Sequence, residues 1–441
     1  TTITLGASGD SINLASGATQ SGFGRTGTVN WDTTPKTSTV TAANGVGYFV
    51  DTTSGSVTVN LPAGTAGDIV AIADYANTAD TNKIVVNANG TEKIQGVASN
   101  PFQITVEGGS VTLVYVDSTQ GWRPTDASTA AAITENNVFI VATGGSIATC
   151  GDYKIHTFTG PGTFCVSASE GPVGKADYLV IAGGSGGGGS TNPGGGGAGG
   201  GAGGFRESVP SPAAWSASPL AAPGGSLPIS VQGYPITVGA GGAGKGPGLY
   251  APGFGSNSVF STIISQTGGE GGMFNTPGTP RPAPLPGPSS FADGAPGGSG
   301  GGGSFFGSPG GSGNTPPVSP SQGNPGGTGT AAPQYAAAGG GGAGAAGSNS
   351  TPGAGGNGGA GATTSISGSS VTRAGGGGGS SSTSTDGSGG SGGGGSGTSP
   401  GGTGGAGSTN TGSGGGGGGS TGDATGGAGG SGIVIIRYKF Q

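Results

Sequence analysis

From Gly183 to Gly432 the chain consists largely of glycine runs, bracketed by two apolar strands, Tyr178-Leu-Val-Ile-Ala182 before them and Ile433-Val-Ile-Ile-Arg-Tyr438 after them. A flexible glycine linker has no use for a hydrophobic strand at each end, whereas a folded body must bring its entry and exit together. The stretch is therefore expected to fold. It has too few large apolar residues to offset backbone ordering through a conventional core. Of the 114 glycines, 23 precede residue 181 and the remaining 91 follow, so composition divides the chain near that point.

A helix of three residues per turn makes no hydrogen bond within itself, so its amides point outward and neighbours must supply their partners. Glycine runs packed side by side meet that demand. A Cβ at a packed position would push them apart, while boundary positions accept Ala, Ser or Asn. Runs of about nine residues at a 3.1 Å rise predict a slab roughly 30 Å tall, with connecting loops at its two ends. Collagen does not fit, because the runs keep no Gly-X-Y phase.

The first part reads differently. Residues 1–35 hold short extended pieces, Ile3-Thr-Leu5 and Ser11-Ile-Asn-Leu14, suited to a stalk or attachment segment in which equivalent chains wrap together. Residues 36–126 carry strand signals at regular spacing with turns such as Asn89-Gly90, predicting an antiparallel β domain whose core Trp122 caps. Residues 127–149 are assigned to a linker and strand, and 150–441 to the glycine-rich body. The fold class expected is an all-β, sandwich-like N-terminal region followed by the glycine lattice, with almost no α-helix.

Charge is sparse, with 13 Lys and Arg against 19 Asp and Glu and a net charge of −6, which argues against nucleic acid as a partner. The start, Thr1-Thr-Ile-Thr-Leu5, carries no export-signal pattern, and no segment has the apolar length of a membrane span, so no membrane insertion is expected. Cys150 and Cys165 flank a predicted hairpin and are either a disulfide across it or two free thiols. With the single His156 they fall short of a metal site. No cofactor is expected: Val238-Gly-Ala-Gly-Gly-Ala-Gly-Lys245 has phosphate-loop spacing, but Gly246 stands where a hydroxyl residue is needed and no helix pattern follows. His156 lacks a nearby triad, and Asp74 with Asp80, or Asp117 with Asp126, read as turn and edge residues rather than a glycan-cleaving pair.

Five motifs in order, Lys154-Ile-His-Thr-Phe158, Tyr178-Leu-Val-Ile-Ala-Gly-Gly184, Gly195-Gly-Gly-Ala-Gly199, Tyr234-Pro-Ile-Thr-Val-Gly-Ala-Gly-Gly242 and Gly432-Ile-Val-Ile-Ile-Arg-Tyr438, resemble the glycine-rich domain of bacteriophage tail-fibre and tip-adhesin proteins. The resemblance covers residues 150–441 and implies a sandwich of polyglycine type II helices whose distal loops touch the host surface. Gly55-Ser-Val-Thr-Val-Asn-Leu-Pro62 and Gly109-Ser-Val-Thr-Leu-Val-Tyr-Val116 are similar to β modules of marine and cyanobacterial phage fibres. The insert from Gly204 to Tyr234 and the stretch from Pro277 to Pro288 exceed that pattern.

Aromatic residues in glycine- and proline-rich surroundings have little core to bury them, and exposed aromatics are common anchors of recognition. Phe274, Phe291, Phe305, Phe306 and Tyr335, with Arg281 and Arg373 as polar partners, are therefore the receptor-binding candidates. Trp215 and Phe205, near the base strands, are expected to be structural. The expectation is a non-enzymatic virion fibre or spike, a homotrimer joined to other virion proteins through its N-terminal region. It would bind a bacterial surface glycan or an outer-membrane protein. A head fibre or decoration protein, and a surface-polysaccharide depolymerase, are the alternatives.

Overall fold

The computed structural model describes residues 29–98, 101–127, 139–169, 174–190, 195–246, 253–273, 290–331, 335–382, 385–399, 401–420 and 423–440. The expected stalk up to residue 28, Phe274, Arg281 and the stretch from Pro277 to Pro288 lie outside them. The chain forms two compact units, Thr1–Asn136 and Asn137–Gln441. Among the described residues the assigned elements are all β-strands and there is no α-helix.

In the first unit the strands are β1 (Asn30–Lys36), β2 (Val40–Thr41), β3 (Val46–Val50), β4 (Val57–Asn60), β5 (Ile69–Asp74), β6 (Ile84–Asn87), β7 (Lys93–Ile94), β8 (Val97–Ala98), β9 (Phe102–Ile104), β10 (Ser110–Asp117) and β11 (Gly121–Ala127). They form one sheet in the order β1-β3-β5-β10-β11-β7-β8 and another in the order β2-β4-β6-β9. The expectation of an antiparallel domain needs correction in part: β5 with β10, β10 with β11 and β6 with β9 are antiparallel, but β1 with β3, β3 with β5, β2 with β4 and β4 with β6 pair in parallel. The chain steps to the other sheet after each of these strands, so successive strands within one sheet point the same way. Alternating apolar residues such as Val57, Val59, Val70, Ile72, Ile84 and Val86 fill the space between the sheets. Trp122 is fully buried in that core, edge-to-face with Tyr115 at a centroid distance of 5.6 Å.

The second unit stands on a β base. Its strands are β12 (Val141–Thr143), β13 (Ser146–Cys150), β14 (Tyr153–Phe158), β15 (Gly162–Ala168), β16 (Lys175–Ile181), β17 (Phe205–Val209), β18 (Ala221–Pro223), β19 (Leu227–Pro228), β20 (Gly233–Thr237), β21 (Ser258–Phe260), β22 (Ile263–Ser265), β23 (Ala362–Thr364), β24 (Val371–Arg373) and β25 (Ile433–Lys439). The bracketing strands do meet: β16 and β25 lie side by side, Ile181 opposite Ile433. Both are buried on two faces, as their continuous apolar sequence requires. Tyr178, Val180, Val434 and Ile436 pack towards Phe164, Ile236 and Phe260 of the second base sheet, β12-β15-β20-β21-β22. Leu179, Ile181, Ile433 and Ile435 pack with Phe205, Ala202 and Ala343.

Above the base the glycine runs form the expected lattice. Along the run that leaves β16, residues 183 and 186 donate to Ser256 and Gly253, 184 and 187 to Gly430 and Gly427, and 185 and 188 to Gly201 and Ala198. The carbonyls of the same six residues accept from Gly268 and Gly271, from Gly242 and Lys245, and from Gly415 and Gly418. Partners recur every third residue, the three-residue turn of polyglycine II. Each backbone group points to a different neighbour, so this run is bonded to six others. The run 197–204 is surrounded in the same manner, by 183–188, 266–272, 299–302, 338–341, 377–380 and 412–418.

Close approach dictates glycine here. A Cβ on Gly183 would lie 1.9 Å from the Ala240 carbonyl oxygen, and one on Gly187 2.0 Å from that of Gly416. Neither residue has a positive φ, so the requirement is space rather than torsion. Where a gap exists, Ala198, Ala202 and Ser185 are accepted fully buried, and the Ser185 hydroxyl donates to the Gly268 carbonyl.

Candidate recognition surface at the far end of the lattice

The register of the runs gives the lattice a direction. The run from 182 to 190 leads away from β16, and that from 195 to 204 returns to β17. Gly242 and Lys245 follow the first run in parallel, as do Gly268 and Gly271. Ala295 and Gly298 pair antiparallel with Glu270 and Thr267, and Gly302 antiparallel with Gly199. Gly246, Gly253, Met273 and Ser290, which flank segments 247–252 and 274–289, therefore stand at the end away from the base strands. The turn 305–307 and Tyr335 stand at that end too.

The turn at 305–307 is unusual. The Ser308 amide donates to the Phe305 carbonyl at 3.2 Å, and both central residues have positive φ, 62° at Phe306 and 72° at Gly307. This is the pattern of a type I′ turn. Glycine adopts it freely, but for a phenylalanine the left-handed region costs about 1–2 kcal/mol. Phe305 is fully buried and Phe306 is 40 % exposed. Tyr335 bridges them, its ring centroid 5.6 Å from Phe305 and 5.1 Å from Phe306. The result is an aromatic ring held outward on a rigid mount.

Towards the same end, Lys245 and Glu270 form a buried ion pair at 2.6 Å, with the Lys245 ammonium 5.9 Å from the centre of the Phe291 ring. Glu270 also accepts from the Gly253 amide. Lys245, the basis of the phosphate-loop match, is thus committed to the lattice interior.

Phe291 and Phe305, both expected at the surface, are buried, because the end of a dense lattice offers them a core after all. Arg373 needs correction as a surface contact: it lies on β24 at the base, 8 % exposed, and burial pushes its guanidinium down from its ordinary value. Trp215 is structural, stacked 4.3 Å from the Arg437 guanidinium, which also lies over Tyr153 at 4.7 Å. Cys150 and Cys165 are free thiols, and the predicted hairpin between them does not form: β14 pairs with β13 and β25, whereas β15 joins the other base sheet. Asp74 accepts the backbone amides of Ala79 and Gly108, and Asp117 those of Thr119 and Gln120.

His156 is fully buried between the base sheets. Its Nδ1 lies 2.7 Å from the Gly144 carbonyl, which only accepts, so Nδ1 carries the proton of the neutral ring. Nε2, 2.9 Å from Tyr438, then accepts from the phenol. Burial pushes that phenol up to about 12, so it stays a donor. Burial lowers the His156 pKa below 6.5, and the Lys154 charge adds to this against the Gly144 bond. A lowered folded-state value means that the unfolded chain binds the proton more readily. Stability from this site is therefore complete above pH 6.5 and declines as pH falls below it through the folded value. Each tenfold difference in proton affinity between the two states is worth about 1.4 kcal/mol. Burial raises Asp177 and Glu207, whose contributions run the other way. Denaturant titrations between pH 7.5 and 5 are expected to show a difference between the wild type and His156→Asn that shrinks as pH falls.

The profile of the family described as a glycine-rich domain matches residues 157–439. No curated protein compared with the chain matches it. With a match over more than half its length, covering the base strands from β15 to β25 and the lattice between them, the chain belongs to the glycine-rich domain family.

Proposed function

We propose that the protein is a non-enzymatic adhesin of a bacteriophage fibre or spike, acting as a homotrimer attached through its N-terminal region. The end of the lattice away from the base would bind a bacterial surface glycan or outer-membrane protein. The observation that carries this reading is Phe306, an aromatic ring kept half exposed in a backbone conformation that disfavours it, mounted on Tyr335 and a fully buried Phe305. Strain of this kind persists where surroundings over-determine it, and it clusters at ligand contacts. A lattice bonded in six directions supplies the rigidity that lowers the entropy lost on binding.

Phe306→Gly separates this reading from a purely structural one. Glycine removes the φ penalty, so the variant should unfold no more easily than the wild type, while binding of labelled protein to susceptible cells falls about tenfold or more. Unchanged binding in Phe306→Gly and in Tyr335→Ala would refute the assignment of this surface.

A further inference from the structure

The first unit carries a second aromatic feature, on the face of its larger sheet opposite the core. Trp31 of β1 is 39 % exposed and Tyr75, just past β5, is 56 % exposed. Phe49 of β3 lies between them, its centroid 4.8 Å from Trp31 at 30° between planes and 6.5 Å from Tyr75. Register puts all three on one face: Trp31 is opposite Gly47, and Phe49 is opposite Ala73. A Cβ on Gly47 would lie 2.7 Å from the indole, so the glycine there lets Trp31 lie flat on the sheet. Beside this ridge the surface drops to small residues, Ala73, Ser110 and Thr112, on the neighbouring β5 and β10.

We propose that this face binds a neutral glycan chain, independently of the surface at the end of the lattice. The ridge supplies ring faces whose negative quadrupole attracts the partly positive C–H bonds on the flat side of a sugar. The trough beside it spans β3 to β10, about 10 Å at the usual strand spacing, and is floored by small residues and hydroxyls. On β11 the same face carries charges of both signs: exposed Arg123 and Asp126 stand opposite Val114 and Thr112. Such a balanced border suits an uncharged polyol. A single-stranded nucleic acid stacking on the same rings would need a positive groove, and the chain is net negative.

The test uses the full chain and its three tryptophans. Trp122 is fully buried and Trp215 belongs to the other unit, so Trp31 is the one exposed in this sheet face. Neutral gluco-, manno- and galacto-oligosaccharides, titrated one at a time, should include at least one that shields tryptophan emission from acrylamide. Trp31→Ala should remove that shielding, and Tyr75→Ala should weaken binding about tenfold, measured calorimetrically. Tyr75 is more than half exposed, so Tyr75→Ala should keep the wild-type unfolding transition, and Phe306→Gly should bind the oligosaccharide normally. The proposal is overturned if no oligosaccharide of the panel shields the emission, or if Tyr75→Ala binds as well as the wild type. It is also overturned if the ridge instead mediates self-association that Trp31→Ala abolishes in sedimentation.

Discussion

Gly200→Val is expected to destabilise the second unit by about 4 kcal/mol or more, read as a shift of the chemical unfolding midpoint. A Cβ at this site would lie 2.2 Å from the Ser185 carbonyl oxygen and 2.7 Å from that of Gly186. Both obstacles are backbone, so no rotamer change relieves them. Moving the strand of glycines aside would stretch its own bonds, from the Gly200 amide to Gly415 and from the Gly377 amide to Gly200. Each of those partners is itself held by further runs, so the disturbance spreads laterally. Gly160→Ala is the matched control. A Cβ there meets nothing within 4 Å, and its φ is not in the left-handed range. It should be neutral, or more stable by about 0.4–1 kcal/mol through loss of unfolded-state freedom. If both variants unfolded alike, the glycines would be filling space rather than permitting contact.

Lys245→Met should cost about 3–5 kcal/mol, because it leaves the Glu270 carboxylate in a site from which its counter-charge has gone. Both side chains are at most 2 % exposed, their contact is 2.6 Å, and Glu270 also accepts from the Gly253 amide. The double variant Lys245→Met, Glu270→Leu should recover most of that loss, since a buried ion pair replaced by apolar groups of similar volume is often neutral. A double-mutant cycle by denaturant unfolding gives the coupling directly. Additive effects of the two single substitutions would show that the pair contributes only packing.

The features legible in the sequence were those governed by local composition. Apolar strands at both ends of the glycine region imply a shared base, and β16 beside β25 is that base. Runs too poor in side chains to form a core must satisfy their amides laterally, and the three-residue recurrence of partners along 183–188 follows from that. The parallel pairing of β3 with β5 was not legible, because strand signals carry no record of which sheet the next strand joins. Nor was the burial of Phe291, Phe305 and Arg373. In glycine-rich sequence an aromatic residue reads as unsupported, yet supporting atoms arrive from runs far along the chain.

The sequence by itself determined that the glycine region folds and that its interior admits only the smallest residues, since amide satisfaction and steric exclusion act on every residue wherever its neighbours come from. Only the tertiary structure decided which end carries the loops and which aromatic faces solvent. Those outcomes depend on the direction of each pass and on which run lies beside which. Glycine runs are nearly interchangeable, so only their assembled hydrogen bonds distinguish one neighbour from another.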